Sequence, residues 1–460
     1  MNLLLSFAIL IHFSTHFYGN CIPDNIQLGT QTTLVVPGLY ILGFVGRAFI
    51  LETSQPVPNF RVGLTVEAVE GKYVCSFDIF LGDFKVWSSS HLSRFFTLEK
   101  CVLRLTWDGD LQLTGRDGEL GWRTATYGQG IQRLQLSNSG NLILLDGLNM
   151  IKWQSFHFPT NVMLWGQRLD VGTILTSLPT NYSNSHFSFE IHREKLALYL
   201  NSGKFKYSYW EFNPEKPREI SFIRLATNGL QVFNDESHKI AQIPSKRLQL
   251  LRFLAIENTT GNLGLYYYST KTMKFEASFQ ALRNKCEEPN FCAANEICTV
   301  SDKCSCLEIK GYLGNFCGKS GVEMMEIRGA VSTLRDENRK IVNGTMETCV
   351  DSCIDDCTCV GALFTSGNSE CYLYGEVRGV KEGGGTGGSG RDSSGGGDGD
   401  GGGGEVRFLV KVLKGGKGGK GLKKWVLVLI VVGDGLILFV CLGGIGFYML
   451  WRRRKESNSN

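Results

Sequence analysis

Few residues in this sequence have the type and spacing that catalysis requires. Histidine is the usual general acid or base, but no HExxH or GxSxG motif accompanies any histidine or serine here. No pair of acidic residues stands in a recognisable catalytic setting either. We therefore predict a protein that is not an enzyme, with no cofactor and no metal. The seven histidines are His12, His16, His91, His157, His186, His192 and His238.

Cysteine is the other reactive residue, and the chain has 15. Eleven of them lie between Cys286 and Cys371, a density that indicates either disulfide bonds in a secreted chain or zinc sites. Zinc sites favour thiolates two to four residues apart. The first six of these cysteines are instead separated by five, five, five, one and ten residues. We therefore predict disulfides.

Apolar runs near both ends agree with an oxidising, extracellular location. Residues 3–13 form a run too short to span a bilayer, which predicts a signal peptide over 1–20. Residues 425–451 form a run longer than the ~20 residues that a membrane helix needs, and four basic residues follow it. We expect a single-pass type I protein of the plasma membrane, with an extracellular N-terminus and a cytoplasmic tail over 452–460 that is too short to fold as a kinase.

Charge excludes one class of partner. The formal net charge is +4, from 48 basic and 44 acidic residues, and the excess lies near the C-terminus. This distribution is not typical of a protein that binds nucleic acid. Inside the predicted membrane helix, Asp434 either contacts another membrane helix or is protonated or interfacial, and both interpretations stay open.

The sequence predicts that the extracellular region consists mainly of β-strands. Residues 103–113 read LRLTWDGDLQL, and residues 134–146 read LQLSNSGNLILLD. In both stretches apolar residues alternate with polar ones, and a glycine turn interrupts the alternation. Such turns tolerate positive φ and join strands of a hairpin. The recurrence of the pattern predicts all-β units with internal repeats.

These repeats, together with WQSFHFPT at 153–160 and GQRL at 166–169, resemble the plant S-domain proteins. In that architecture a bulb-type lectin region precedes an EGF-like module and a PAN/apple module. The resemblance implies a mostly β fold: tandem bulb-lectin β-prism domains, a small disulfide-rich EGF-like module, an α+β PAN/apple module and the single transmembrane helix. The implied bounds are 21–170 and 171–283 for the lectin-like domains, 284–320 for the EGF-like module, and 321–412 for the PAN/apple-like module with a glycine-rich insertion at 383–404.

The resemblance also implies disulfide pairs. In an EGF-like module the pairs would be Cys286–Cys298, Cys292–Cys304 and Cys306–Cys317. In the lectin region we expect Cys75 to pair with Cys101. The PAN/apple cysteines are Cys349, Cys353, Cys357, Cys359 and Cys371. Their number is odd, and spacings of four place the first three on one helical face. Cys21 either bonds to a PAN/apple cysteine or forms an intermolecular bond, and both interpretations stay open.

The bulb-type lectins bind mannose through a strand with the pattern QxDxNxVxY. The repeats of this chain match it poorly, since the first keeps only Asp108 and the second keeps only Asn141 with an isoleucine in place of valine. Around Tyr199 only the tyrosine survives. Asp108, Asp110 and Asn141 are therefore degenerate candidates for carbohydrate binding, and we expect these repeats to be scaffold. Predicted glycosylation sites are Asn181, Asn258 and Asn343, each in an N-x-S/T triplet.

The leading hypothesis is a non-catalytic cell-surface protein, receptor-like or accessory, that has no kinase. Its partners would be the membrane, another membrane receptor, and an extracellular protein or glycan ligand. The alternative is a membrane-anchored lectin that binds mannose or another carbohydrate.

Overall fold

The computed structural model describes residues 22–55, 57–178, 185–214, 219–246, 249–307, 321–383 and 405–413. Within these ranges the chain is mostly β, as the sequence predicted, with 34 strands and one α-helix. The predicted signal peptide, membrane helix and cytoplasmic tail, as well as Cys21 and Asn181, lie outside the described residues. Among the helices of the described ranges, none is both long enough and apolar enough to span a bilayer.

The first thirteen strands form a unit of three antiparallel sheets, which we call the first three-sheet unit (residues 25–154). The sheets have the strand orders β1–β11–β12–β13, β10–β9–β8–β2 and β3–β4–β5–β6, with β7 paired to β5. The strands are β1 (Asn25–Gln27), β2 (Gln31–Val35), β3 (Val45–Glu52), β4 (Phe60–Val69), β5 (Lys72–Leu81), β6 (Phe84–Ser88), β7 (Phe95–Thr97), β8 (Lys100–Leu105), β9 (Leu111–Thr114), β10 (Leu120–Arg123), β11 (Ile131–Leu136), β12 (Leu142–Asp146) and β13 (Ile151–Gln154).

The next twelve strands form the second three-sheet unit (residues 162–280). Its sheets have the orders β14–β23–β24–β25, β15–β20–β21–β22 and β16–β17–β18–β19. The strands are β14 (Val162–Leu164), β15 (Arg168–Asp170), β16 (Ile174–Thr176), β17 (Ser185–Ile191), β18 (Leu196–Ser202), β19 (Phe205–Phe212), β20 (Phe222–Ala226), β21 (Gly229–Phe233), β22 (Lys239–Pro244), β23 (Leu251–Ile256), β24 (Leu263–Ser269) and β25 (Lys274–Gln280).

The chain runs through the sheets of both units in the same order. The first three strands of each unit go to three different sheets, and the later strands complete those sheets as hairpins or three-stranded meanders. Strands β14 and β15 therefore belong to the second unit. They do so because these two short strands pair with β23 and β20.

The two units pack directly on each other. The ring of Phe84 on β6 stacks on that of Phe253 on β23, with 4.7 Å between their centroids. The His91 Nε2 atom lies 2.7 Å from the Thr176 carbonyl oxygen, and burial holds the pKa of this histidine below its ordinary value. Val162, Leu164 and Phe253 of the second unit join the apolar core of the first. The units thus form one continuous body at this contact.

The remaining strands form two further sheets, with the orders β27–β26–β33–β29 and β28–β34–β31–β32–β30. The pairing of β26 with β33 is parallel, so the predicted EGF-like segment shares a sheet with the PAN/apple-like segment. The strands are β26 (Glu296–Cys298), β27 (Cys304–Cys306), β28 (Val322–Ile327), β29 (Ala330–Ser332), β30 (Lys340–Ile341), β31 (Gly361–Thr365), β32 (Glu370–Tyr374), β33 (Val380–Glu382) and β34 (Val406–Leu413). Short 3-10 turns span Arg116–Gly118, Ser155–His157, Lys285–Glu287 and Glu337–Arg339.

The α-helix, α1 (Met346–Asp355), has clear start and stop signals. The Thr345 hydroxyl accepts a hydrogen bond from the Thr348 N–H at 3.1 Å, as an N-cap residue does. Beyond the last turn, the Asp356 carboxylate accepts from the Thr358 N–H at 2.7 Å. This local bond competes with a further helical turn. Cys357 therefore lies beyond the helix, and the predicted alignment of three cysteines on one helical face is wrong.

Five disulfides join described cysteines, and three of them, Cys75–Cys101, Cys286–Cys298 and Cys292–Cys304, have the predicted pairings. The bonds are Cys75–Cys101, Cys286–Cys298, Cys292–Cys304, Cys349–Cys371 and Cys353–Cys359. The fifth, Cys353–Cys359, is a short bridge from the helix to the chain just after it. Cys357 is disulfide-bonded as well. Cys306 is a free, exposed thiol, so the expected Cys306–Cys317 pair is wrong; Cys317 itself lies outside the described residues.

Candidate functional site

The predicted sugar-binding positions of the first repeat lie in the turn between β8 and β9. Asp110 is 1% exposed, and its carboxylate accepts three hydrogen bonds. The donors are the Thr126 N–H at 3.1 Å, the Thr124 hydroxyl at 3.1 Å and the Gln112 side-chain amide at 3.0 Å. Because the carboxylate oxygens are enclosed and engaged, Asp110 fastens the start of β9 to the chain after β10 and is not presented to a ligand.

In the second repeat, the side chain of Asn141 is likewise hydrogen-bonded within the fold. Its Oδ1 atom accepts from the Phe156 N–H at 3.2 Å and from the Ser155 hydroxyl at 3.3 Å. Its Nδ2 atom donates to the Gln154 side-chain oxygen at 2.7 Å. Asn141 thus ties the start of β12 to the end of β13, which is the counterpart of the role of Asp110.

Asp108 is the exposed member of the predicted set. It lies at the tip of the same turn, where Gly109 has a φ of +89°, and it accepts a hydrogen bond from the Thr106 hydroxyl. Asn141 belongs to a different sheet. The structure therefore does not bring Asp108, Asp110 and Asn141 together into one polar constellation.

The stretch around Tyr199 carries an ion network in place of a sugar site. The Lys195 ammonium contacts the carboxylate of Glu211 at 2.9 Å and that of Glu337. Burial opposes the charged form of this lysine, but these two hydrogen bonds raise its pKa above the ordinary value. Burial raises the pKa of Tyr199 to about 12, and its hydroxyl lies 3.2 Å from His192 Nε2. The network links β18 and β19 to the segment before β30.

Three tryptophans that the sequence reasoning did not connect form the centre of the first three-sheet unit. Trp87, Trp122 and Trp153 lie on β6, β10 and β13, the edge strands of the three sheets. Their ring centroids are 5.9, 6.0 and 5.8 Å apart, and the rings meet edge to face. Edge-to-face aromatic pairs contribute ~0.5–1.5 kcal/mol each beyond their buried area. We call these residues the tryptophan triad.

A signal for the triad was present in the sequence. Each tryptophan is followed two residues later by a hydroxyl residue. The three hydroxyls each accept a backbone N–H from the strand before: Ser89 from Phe77 at 2.9 Å, Thr124 from Leu111 at 3.1 Å, and Ser155 from Leu142 at 3.0 Å. The repeated W-x-(S/T) spacing therefore marks equivalent positions of the three sheets.

Two groups of residues bring sulfur and carboxylate atoms close enough for a metal. One consists of Cys286, Cys298 and Asp302, and the other of Cys292, Cys304 and Glu296. In both groups the sulfurs are joined in a disulfide, so neither provides a thiolate, which is the form of cysteine that binds a metal.

Two known families match parts of this chain. Residues 86–184 match the family described as D-mannose binding lectin, and residues 324–389 match the PAN-like domain. The first match includes the triad strands and the opening strands of the second three-sheet unit. The chain thus contains a lectin domain and a PAN-like domain, and the resemblance to plant proteins that combine these two modules is confirmed.

Three similar proteins come from Arabidopsis thaliana. A PAN domain-containing protein is 24% identical, with 59% of this chain and 59% of that protein covered. A G-type lectin S-receptor-like serine/threonine-protein kinase is 23% identical, with 55% of this chain but only 32% of the kinase covered. EP1-like glycoprotein 3 is 26% identical, with 64% and 74% covered. The matched part thus spans about three fifths and one third of the first two relatives.

Among solved structures, a monomeric monocot mannose-binding lectin from Gastrodia elata matches 29% of this chain and 96% of its own, with 20% identity and a TM-score of 0.18.

Proposed function

We propose that this chain, with its lectin and PAN-like domains, is a non-catalytic, receptor-like or accessory protein of the cell surface. Its extracellular region would bind a protein or a glycan, and a partner receptor would carry the signal. The observation that supports this proposal most is the use of Asp110 and Asn141 inside the fold. Residues 86–184 match the lectin family, while the polar groups at the motif positions are engaged with the chain itself.

The proposed location is the plasma membrane, as a single-pass type I protein with its N-terminus outside. Five disulfides among the described residues support an oxidising compartment, since cytosolic thiols are kept reduced. The predicted glycosylation sites Asn258 and Asn343 support the same location: Asn343 is exposed, and Asn258 lies in the loop between β23 and β24.

We expect protease treatment of intact plant cells to remove the extracellular region. The full chain, labelled with a C-terminal tag, should leave only a small tagged membrane fragment, because the rest would be outside. Glycosidase treatment of the purified chain should increase its mobility in gels. Full protection of an unglycosylated chain in intact cells would contradict the proposed topology. Permeabilised cells provide the control for access of the protease.

The second candidate function is a membrane-anchored lectin for mannose, which the matched family description favours. We expect no saturable binding of the detergent-solubilised full chain to immobilised mannose, because the polar positions are either substituted or internally bonded. Each lost hydrogen bond to a buried partner costs roughly 1–3 kcal/mol, and a shallow sugar site has little apolar area that could compensate.

The variant Asp108→Ala separates the two functions, because Asp108 is the exposed candidate. It should leave retention on mannose and on a galactose control matrix unchanged. Saturable mannose binding that disappears in Asp108→Ala would restore the lectin hypothesis and displace the accessory-receptor proposal.

A further inference from the structure

A cleft of about 140 Å³ lies where the two three-sheet units meet. None of the predicted sugar-binding residues Asp108, Asp110 and Asn141 lines it. One wall comes from the first unit, through Phe60, Asn138 and Ser139, and the other from the second unit, through Trp165, Thr227 and Arg252. A cavity of ~150 Å³ holds a single six-membered aromatic ring, so this cleft has room for one ring of a ligand.

Backbone contacts hold both walls in place. On the first wall, Gly140 in the turn before β12 lies against the Phe60 ring. The contact is so close that a Cβ atom at Gly140 would be 2.4 Å from a ring atom. On the second wall, the Trp165 N–H donates to the Arg252 carbonyl oxygen at 3.0 Å. The cleft is therefore formed by fixed elements before any ligand arrives, which lowers the entropic cost of binding.

Arg252 is the charged group of the cleft. Its Nη2 atom donates to the Pro58 carbonyl oxygen across the unit boundary at 3.3 Å, and its guanidinium lies 6.0 Å from the Phe60 centroid. No carboxylate of the described residues forms an ion pair with it. Burial lowers the pKa of Arg252 below its ordinary value, but an arginine remains a cation in proteins. The half-buried guanidinium has five N–H donors, and the 3.3 Å contact with the Pro58 carbonyl oxygen engages one of them. A cation with donors to spare favours an anionic ligand.

The other side chains of the cleft suit a sugar. Trp165 is 45% exposed and offers an aromatic surface, which packs well against the C–H face of a pyranose ring. Asn138 and Thr227 are exposed, and they provide an amide and a hydroxyl for hydrogen bonds to sugar hydroxyls.

We propose that this cleft binds a uronate residue of an acidic glycan, with the sugar carboxylate on Arg252 and the ring against Trp165. The cleft does not include Asp108, Asp110 or Asn141, and its residue Ser139 stands where the mannose motif of the second repeat would have its aspartate. The proposal goes beyond the receptor-like function and does not depend on the membrane topology.

The test measures binding of D-galacturonate to the detergent-solubilised full chain by saturation-transfer NMR and calorimetry, with D-galactose and acetate as comparison ligands. Galacturonate should bind at least about tenfold more tightly than galactose, because a charge-assisted hydrogen bond is lost in the neutral sugar. Acetate should compete poorly, because it lacks the ring. Added salt should weaken the binding of galacturonate.

The variants Arg252→Gln and Trp165→Ala should each reduce galacturonate affinity about tenfold or more. Arg133→Gln and Trp107→Ala are matched controls, since both residues lie on the first unit away from the cleft, and they should leave affinity unchanged. Trp165 is well exposed, so its variant keeps the test valid if Arg252→Gln fails to fold. Equal affinity for galacturonate and galactose, equal competition by acetate, absence of galacturonate binding, or unchanged binding in the two cleft variants would each overturn the proposal.

Discussion

Substitution Trp153→Ala is expected to lower the free energy of unfolding of the first three-sheet unit by about 3–5 kcal/mol, the usual cost of truncating a buried tryptophan. Trp153 is 7% exposed. It contacts both other members of the tryptophan triad, and it stacks on Phe158 with 5.7 Å between centroids. Its loss therefore opens a cavity where all three sheets meet. Urea unfolding of the full chain, followed by circular dichroism, measures the change.

The matched control is Trp107→Ala. Trp107 is 74% exposed in the turn between β8 and β9, so its truncation should change the free energy of unfolding by less than about 0.5–1 kcal/mol. Similar destabilisation by both variants would contradict the central role of the triad, because it would show that any tryptophan of the unit matters equally.

Local sequence signals predicted the hairpins well. Leu103 and Leu113 are partners in the pairing of β8 with β9, on either side of the turn that Asp108 and Gly109 form. The alternation of burial in β9 follows the alternation of leucine with polar residues. A hairpin depends on residues that are close in sequence, so its pattern is visible without the structure.

Pairings between distant segments could not be predicted in this way. Strand β14 has three residues, and its partner β23 begins at Leu251. So short a strand carries almost no periodic signal, so its pairing with β23 was not visible in the sequence. The parallel contact of Ile297 with Val380, which joins the EGF-like and PAN-like segments in one sheet, is equally invisible in local patterns.

The site shows the same limit. The position of Asp110 in the repeat suggested a group that could face a sugar. Two of its three partners, Thr124 and Thr126, follow 14 and 16 residues later, beyond β9 and β10. The motif alone does not indicate on which side of the strand the carboxylate lies, and therefore does not distinguish a ligand contact from an internal bond.

Substitution Asp110→Ala tests that distinction directly. We expect it to lower the free energy of unfolding of the first unit by roughly 2–4 kcal/mol, because it leaves a buried N–H and two side-chain donors without their acceptor. Each unsatisfied buried group costs about 1–3 kcal/mol when neither relaxation nor water replaces the bond. Asp110→Asn should cost less. Its remaining carbonyl oxygen can still accept from the Thr126 N–H and the Thr124 hydroxyl, while the new amide group meets the Gln112 donor.

Asp108→Ala is the matched control, because it removes a carboxylate of the same type from an exposed position in the same turn. It should change the free energy of unfolding by less than about 0.5–1 kcal/mol. Urea unfolding of the three variants therefore ranks Asp110→Ala, Asp110→Asn and Asp108→Ala in decreasing order of destabilisation. The scaffold interpretation predicts this order with no measurable mannose binding in any of the chains. An Asp110→Ala protein with wild-type stability, in a chain that binds mannose only when Asp110 is intact, would show instead that the carboxylate serves a sugar and not the fold.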